Sequence, residues 1–128
     1  MKKSLLFPLL LTALCASPLA LAELPSTVDV KQAAELRNRG TLLLDVRDPA
    51  EYDEVHAKGA ILIPLAQLPH RLNEIAQYKN KPVEVICRSG KRSARAVEIL
   101  RSAGFTDVAN VEGGTTAWVE AGLPVVRK

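Results

Sequence analysis

Cys87 is followed directly by Arg88, Ser89, Gly90, Lys91, Arg92 and Ser93. A cysteine acts as a nucleophile through its thiolate, and an ordinary pKa near ~8.5 leaves only a few per cent ionised at neutral pH. Basic neighbours and a helix N-terminus commonly lower that value to ~3.5–7.5. A fall of about two units is worth roughly 2.7 kcal/mol and makes the thiolate the dominant form. Three cations and a glycine within five residues of the cysteine point to an anionic, reactive sulfur. A cysteine that only fills the end of a strand has no use for such neighbours.

The flanking residues supply the frame. Val83-Glu84-Val85-Ile86 reads as a short buried strand, and Ala96, Val97, Leu100 and Ala103 recur at helical spacing across residues 94–104, with Gly104 as a stop. A strand-to-helix turn aims its backbone N–H groups at whatever occupies its mouth, and the helix N-terminus adds partial positive charge. Arg88, Lys91 and Arg92 are expected to add full charges to this bowl.

The heptapeptide Cys87–Ser93 resembles the active-site loop of the rhodanese (thiosulfate sulfurtransferase) family. The resemblance implies that Cys87 carries a persulfide between a sulfur donor and an acceptor, with residues 88–93 as the anion-binding loop. The expected donor is thiosulfate or a similar anion. The expected acceptors are cyanide, a thiol or another protein, and no cofactor is implied. The spacing Cys-x4-Arg matches sulfurtransferases, whereas phosphatases on the same fold use a wider Cys-x5-Arg loop. A phosphatase is thus the rival enzyme, and a sulfur carrier or stress-sensing module without rapid turnover is the rival binding protein. A thiol–disulfide oxidoreductase normally needs a Cys-x-x-Cys pair, which is absent.

Three further stretches carry the likeness. Asp45-Val46-Arg47-Asp48-Pro49-Ala50-Glu51-Tyr52 stands at the end of an apolar strand, where open α/β sheets place ligand-binding residues. The resemblance implies that Asp45 and Arg47 hold the loops around the site and that Glu51 pairs with a loop cation. Val55-His56-Ala57-Lys58-Gly59-Ala60-Ile61-Leu62-Ile63-Pro64 is similar to the family's GHIPGAINIP stretch, with three departures, at Val55, Ala57 and Leu62. It implies a packing and hydrogen-bonding role for His56. Val111-Glu112-Gly113-Gly114-Thr115-Thr116-Ala117-Trp118 is similar to the family's closing motif. Its glycines permit close backbone approach near the site, and Trp118 is expected as a core anchor.

Residues 1–22 are set apart from the rest. Lys2 and Lys3 precede an apolar run at residues 5–16, and Ala20-Leu21-Ala22 is a small-x-small cleavage site. This predicts a secretory signal peptide over 1–22 and a single domain over 23–128, exported to the periplasm or beyond, in the manner of small phage-shock-type members. The run is short for a membrane span and contains Pro8, so no stable span is expected after cleavage. Leu14 is large where a lipoprotein signal at Cys15 would favour a small residue. The chain carries 17 Lys and Arg against 14 Asp and Glu, a net +3. Without Lys2 and Lys3 the balance is 15 minus 14, or +1, and no basic stripe interleaved with aromatics suggests nucleic acid. Loss of Cys15 leaves Cys87 alone, unable to form an internal disulfide. With one cysteine and two distant histidines, no metal site has suitable ligand spacing. The protein is expected to be a monomer.

The remaining elements follow from periodicity. Asp29 is placed to cap a helix from Val30 to about Arg39, closed by Gly40. Residues 41–45, 60–63, 83–86 and 108–111 read as strands, Leu65, Leu68, Leu72 and Ile75 repeat at helical spacing with Pro69 as a candidate break or new start, and residues 115–121 form a short helix. Alternation of strands and helices predicts an α/β fold: a mostly parallel central sheet of about five strands, with helices on both faces.

Overall fold

The computed structural model describes residues 23–128; the predicted signal peptide lies outside them. Strands β1 (Thr27–Val28), β2 (Leu42–Asp45), β4 (Ile61–Leu62), β5 (Val83–Ile86) and β6 (Val108–Val111) form one sheet in the order β1-β6-β5-β2-β4. Every pairing in it is parallel. β5 is therefore central, and its last residue, Ile86, lies in register with Asp45 at the end of β2. This pairing brings the Cys87 loop and the Asp45–Glu51 stretch to one edge of the sheet.

Period-two alternation divides the core into two layers. Leu42, Leu44, Val83 and Val85 face α3 (Lys91–Ser102), meeting Ala96, Val97 and Leu100, together with Leu68 and Ile75. Leu43, Ile86, Ala109 and Val111 face α1 (Val30–Asn38) and α4 (Gly114–Glu120), meeting Ala33 and Trp118. Helices thus cover both faces of the parallel sheet. Asp29 caps α1 as expected, its Oδ1 accepting the Gln32 N–H at 2.8 Å.

Several elements differ from the sequence reading. The apolar repeat after Pro64 is two 3-10 segments, Leu65–His70 and Leu72–Tyr78, in place of an α-helix. Pro69, inside the first, has no N–H to donate, and Arg71 between them leaves helical geometry. A short helix, α2 (Pro49–Glu54), follows β2. β3 (Val55–Ala57) pairs antiparallel with β7 (Val125–Arg127), closing the C-terminal residues onto the chain that follows α2. The helix after the cysteine starts at Lys91, earlier than Ala94. Gly90, at φ +118°, turns the chain directly into the first helical turn. Among the described residues no helix is long and apolar enough to cross a membrane.

Candidate active site

Cys87 is the first residue beyond the central strand and is 1% exposed. Its sulfur sits inside the turn made by residues 88–93. The Gly90 N–H donates to Sγ at 3.1 Å, and the Ser93 hydroxyl lies 3.2 Å away. Burial pushes the Cys87 thiol up. The Ser93 hydroxyl and the backbone N–H groups of Ser93, Gly90 and Ser89 outweigh it, leaving the thiol below its ordinary value. Hydrogen bonding to the charged form wins over desolvation.

The supporting residues divide into separate groups. Arg92 reaches across to α2 and forks onto Glu51, Nη1 to Oε1 at 2.7 Å and Nη2 to Oε2 at 2.9 Å. This bidentate pair holds the Glu51 carboxyl down at about 2, against burial and with help from the Asp48 N–H. Asp45 and Arg47 are both buried and bound to each other, Nη2 to Oδ2 at 2.8 Å. The same Nη2 donates to the Val55 carbonyl at 2.8 Å, tying the end of β2 to the start of β3. Arg88, Ser89 and Lys91 are exposed. Among the described residues, none of the three loop cations hydrogen-bonds to the sulfur. The expected bowl of full charges is, at first contact, a bowl of N–H and O–H dipoles. Arg92 spends its guanidinium on Glu51.

Asn110 completes the cradle and was not singled out by sequence reasoning. It stands on β6 opposite Val85, donates from Nδ2 to the Gly90 carbonyl at 3.1 Å, and accepts the Ser93 hydroxyl on Oδ1 at 2.5 Å. Its signal was slight: one amide in an otherwise apolar strand.

Of the two glycines at the start of α4, Gly114 acts at the same place, whereas a side chain on Gly113 would meet Ala117. A methyl group on Gly114 would lie 2.5 Å from the carbonyl oxygens of Cys87 and Arg88, and Gly114 has φ +56°. Only glycine lets α4 meet the loop so closely. Thr115 then fastens it, its N–H and hydroxyl both donating to the Cys87 carbonyl, at 2.8 and 3.0 Å.

His56 stacks on Tyr52 with ring centroids 3.6 Å apart, and its Nδ1–H donates to the Tyr52 carbonyl at 2.8 Å. It is a packing and hydrogen-bonding residue. Trp118 is buried and donates from Nε1 to the Pro124 carbonyl. No cluster of three or more His, Cys, Asp and Glu side chains suits a metal ion among the described residues.

Comparison with known proteins places this architecture. Residues 29–121 match the rhodanese-like domain. The chain is 36% identical over 113 residues to thiosulfate sulfurtransferase 16, a chloroplastic protein of Arabidopsis thaliana, covering 80% of this chain and 94% of that one. It is 36% identical over 102 residues to the uncharacterized protein slr1261 of Synechocystis, covering 79% of this chain but spanning only 56% of that protein's length. The crystal structure of a rhodanese-related protein from Thermoplasma volcanium superposes with a TM-score of 0.72 at 33% identity, covering 81% of this chain and all of the other. On the match over most of its length, with the fold to accompany it, the chain belongs to the rhodanese-like domain family.

Proposed function

We propose that the protein is a sulfurtransferase that moves sulfane sulfur through a persulfide on Cys87. The observation that carries this reading is the sulfur's position inside the turn, faced by the Gly90 N–H and the Ser93 hydroxyl. Those donors stabilise the thiolate, and the same concavity suits the terminal sulfur of a persulfide.

In the first half-reaction the Cys87 thiolate attacks the outer sulfur of thiosulfate. The sulfur–sulfur bond of the donor breaks, and sulfite leaves with the bonding pair. In the second, an acceptor such as cyanide or a thiolate attacks the outer sulfur of the persulfide. The bond to Sγ breaks, and the Cys87 thiolate is restored. Arg88 and Lys91, exposed at the rim, attract the anionic donor. Arg92 and Glu51 brace the loop against α2, and Asp45 with Arg47 braces the neighbouring turn. No net oxidant or reductant is consumed.

Steady-state kinetics with thiosulfate and cyanide test the proposal. Two half-reactions through a covalent intermediate give parallel double-reciprocal lines, and Cys87→Ser abolishes turnover while leaving the fold intact. Appreciable turnover by that variant refutes the assignment.

One observation favours the slower alternative. Cys87 is 1% exposed, so a donor reaches it only as the loop rim yields. A sulfur carrier would load stoichiometrically on Cys87 yet turn over poorly. A burst of one sulfite per chain followed by a negligible steady rate distinguishes it. Export directed by residues 1–22 and a monomeric state belong to the same proposal. The mass of the protein recovered from the periplasm checks cleavage after Ala22, and sedimentation checks the monomer.

A further inference from the structure

A cavity of about 410 Å³ opens beside the Cys87 loop, between α2, the start of β3 and α4. Its size falls within the ~300–1,000 Å³ of small-molecule sites. A small inorganic anion held in the loop leaves it unused. One wall is fixed to the loop backbone. Thr115 donates twice to the Cys87 carbonyl, and the Thr116 N–H donates to the Arg88 carbonyl at 3.2 Å. Arg88, the residue directly after Cys87, is part of the cavity lining.

The charges around this cavity are sorted. Arg47 is satisfied by Asp45, and Glu51 by Arg92. Among the described residues, Arg88, Glu54 and Glu120 line the same space without an ion-pair partner. Arg88 belongs to the loop, whereas Glu54 ends α2 and Glu120 ends α4. Val55 and Val119 lie among the lining residues and give it an apolar part. The arrangement offers a cation on the Cys87 loop and two carboxylates on the helices that wall the cavity.

We propose that this cavity is the acceptor subsite of the sulfur-transfer reaction, on which the inference rests, and that it selects a small thiol bearing an ammonium group. Arg88 draws the thiolate toward the loop, and Glu54 and Glu120 hold the ammonium. The aminothiolate attacks the outer sulfur of the Cys87 persulfide. A new sulfur–sulfur bond forms to the acceptor, the bond to Sγ breaks, and Cys87 departs as a thiolate. The product is the aminothiol's persulfide, and the proton lost on ionisation of the acceptor goes to solvent.

The test uses persulfide-loaded protein and three thiols of similar size: cysteamine (cationic), 2-mercaptoethanol (neutral) and 3-mercaptopropionate (anionic). Discharge rates are measured for wild type and for the double variant Glu54→Gln, Glu120→Gln, at low ionic strength. Taking the ratio of the two proteins for each thiol cancels the thiol's intrinsic nucleophilicity. The expected ratio is about two- to fivefold in favour of wild type for cysteamine, near unity for 2-mercaptoethanol, and below unity for 3-mercaptopropionate. Added salt should shrink these differences. Equal ratios for all three thiols overturn the subsite. So does the finding that small thiols discharge both proteins slowly while a dithiol protein discharges them fast, because the occupant is then a protein. Wild-type protein that takes up no sulfur from thiosulfate overturns the sulfur-transfer reading and this inference with it. Uptake that cyanide discharges, with no charge preference among thiols, overturns the inference alone.

Discussion

Ser93→Ala isolates the hydrogen bond on which the sulfur's charge depends. The Ser93 hydroxyl has one hydrogen and two claimants, Cys87 Sγ at 3.2 Å and Asn110 Oδ1 at 2.5 Å. Asn110 is fixed in this orientation by its Nδ2 donation to the Gly90 carbonyl. While Cys87 is protonated, its S–H donates to the Ser93 oxygen and the hydroxyl donates to Asn110. Ionisation turns the hydroxyl toward the sulfur. The gain is a hydrogen bond to a charged group, about 1.5–3 kcal/mol, and the loss is a neutral one, about 1 kcal/mol. The net is about 0.5–2 kcal/mol in favour of the thiolate, or about one pKa unit. Alanine removes this preference with little change in volume at a fully buried position. The pH dependence of Cys87 alkylation by iodoacetamide should show a wild-type midpoint below the ordinary thiol range. The variant midpoint should lie about one unit higher. Thiolate absorbance in the ultraviolet gives the same midpoint without requiring reagent access. An unmoved midpoint, or one that falls, refutes the claim that Ser93 holds the sulfur anionic.

Two more predictions concern residues outside the sulfur's direct reach. Glu84 is fully buried on the central strand; its Oε1 accepts the Thr41 hydroxyl at 2.7 Å, and its Oε2 has no partner among the described residues. Burial pushes its carboxyl up from 4.5 to about 7, against the Thr41 bond. The folded state therefore holds a proton that the unfolded chain releases. The stability this gives is complete below about pH 4.5 and is lost as pH rises through about 7, an effect on the order of 3 kcal/mol. Urea midpoints should fall between about pH 5 and about pH 8 in wild type and stay flatter in Glu84→Gln; equal slopes in the two proteins count against this. Gly114→Ala forces a methyl group against two loop carbonyls at a left-handed position, at a cost of about 2–4 kcal/mol. It should lower the urea midpoint and suppress sulfur transfer, and a variant of wild-type stability would show that α4 does not press on the loop.

Much of the frame could be read from residue order. Leu42–Leu44 is apolar without interruption, and Val83–Ile86 is broken only by Glu84, because both faces of a parallel strand are covered, and Asp29 announces α1 by its capping chemistry. Cys87 announced itself through its neighbours. Part of what failed to show was non-local. β3 and β7 are three residues each and meet across most of the domain, so neither carries enough pattern alone. α2 had a local signal, Asp48-Pro49 followed by Glu51, whose Oε1 accepts the Asp48 N–H at 3.2 Å. The functional reading of those residues hid the capping one. Leu65–Ile75 kept helical spacing, yet Pro69 broke the hydrogen-bond ladder that an α-helix requires. In the site, basic residues at positions 88, 91 and 92 drew attention to charge. Ser93 and Asn110, which govern the sulfur's hydrogen bonds, are ordinary polar residues 17 positions apart. Only the pairing of β5 with β6 brings them together.

The most direct measurement is the intact mass of the protein before and after exposure to thiosulfate, and again after cyanide. The account predicts a gain of one sulfur atom, mapped to Cys87 and absent in Cys87→Ser, and its complete loss with formation of thiocyanate. A mass that thiosulfate leaves unchanged, or an added sulfur that survives cyanide, contradicts the claim that Cys87 ferries sulfane sulfur.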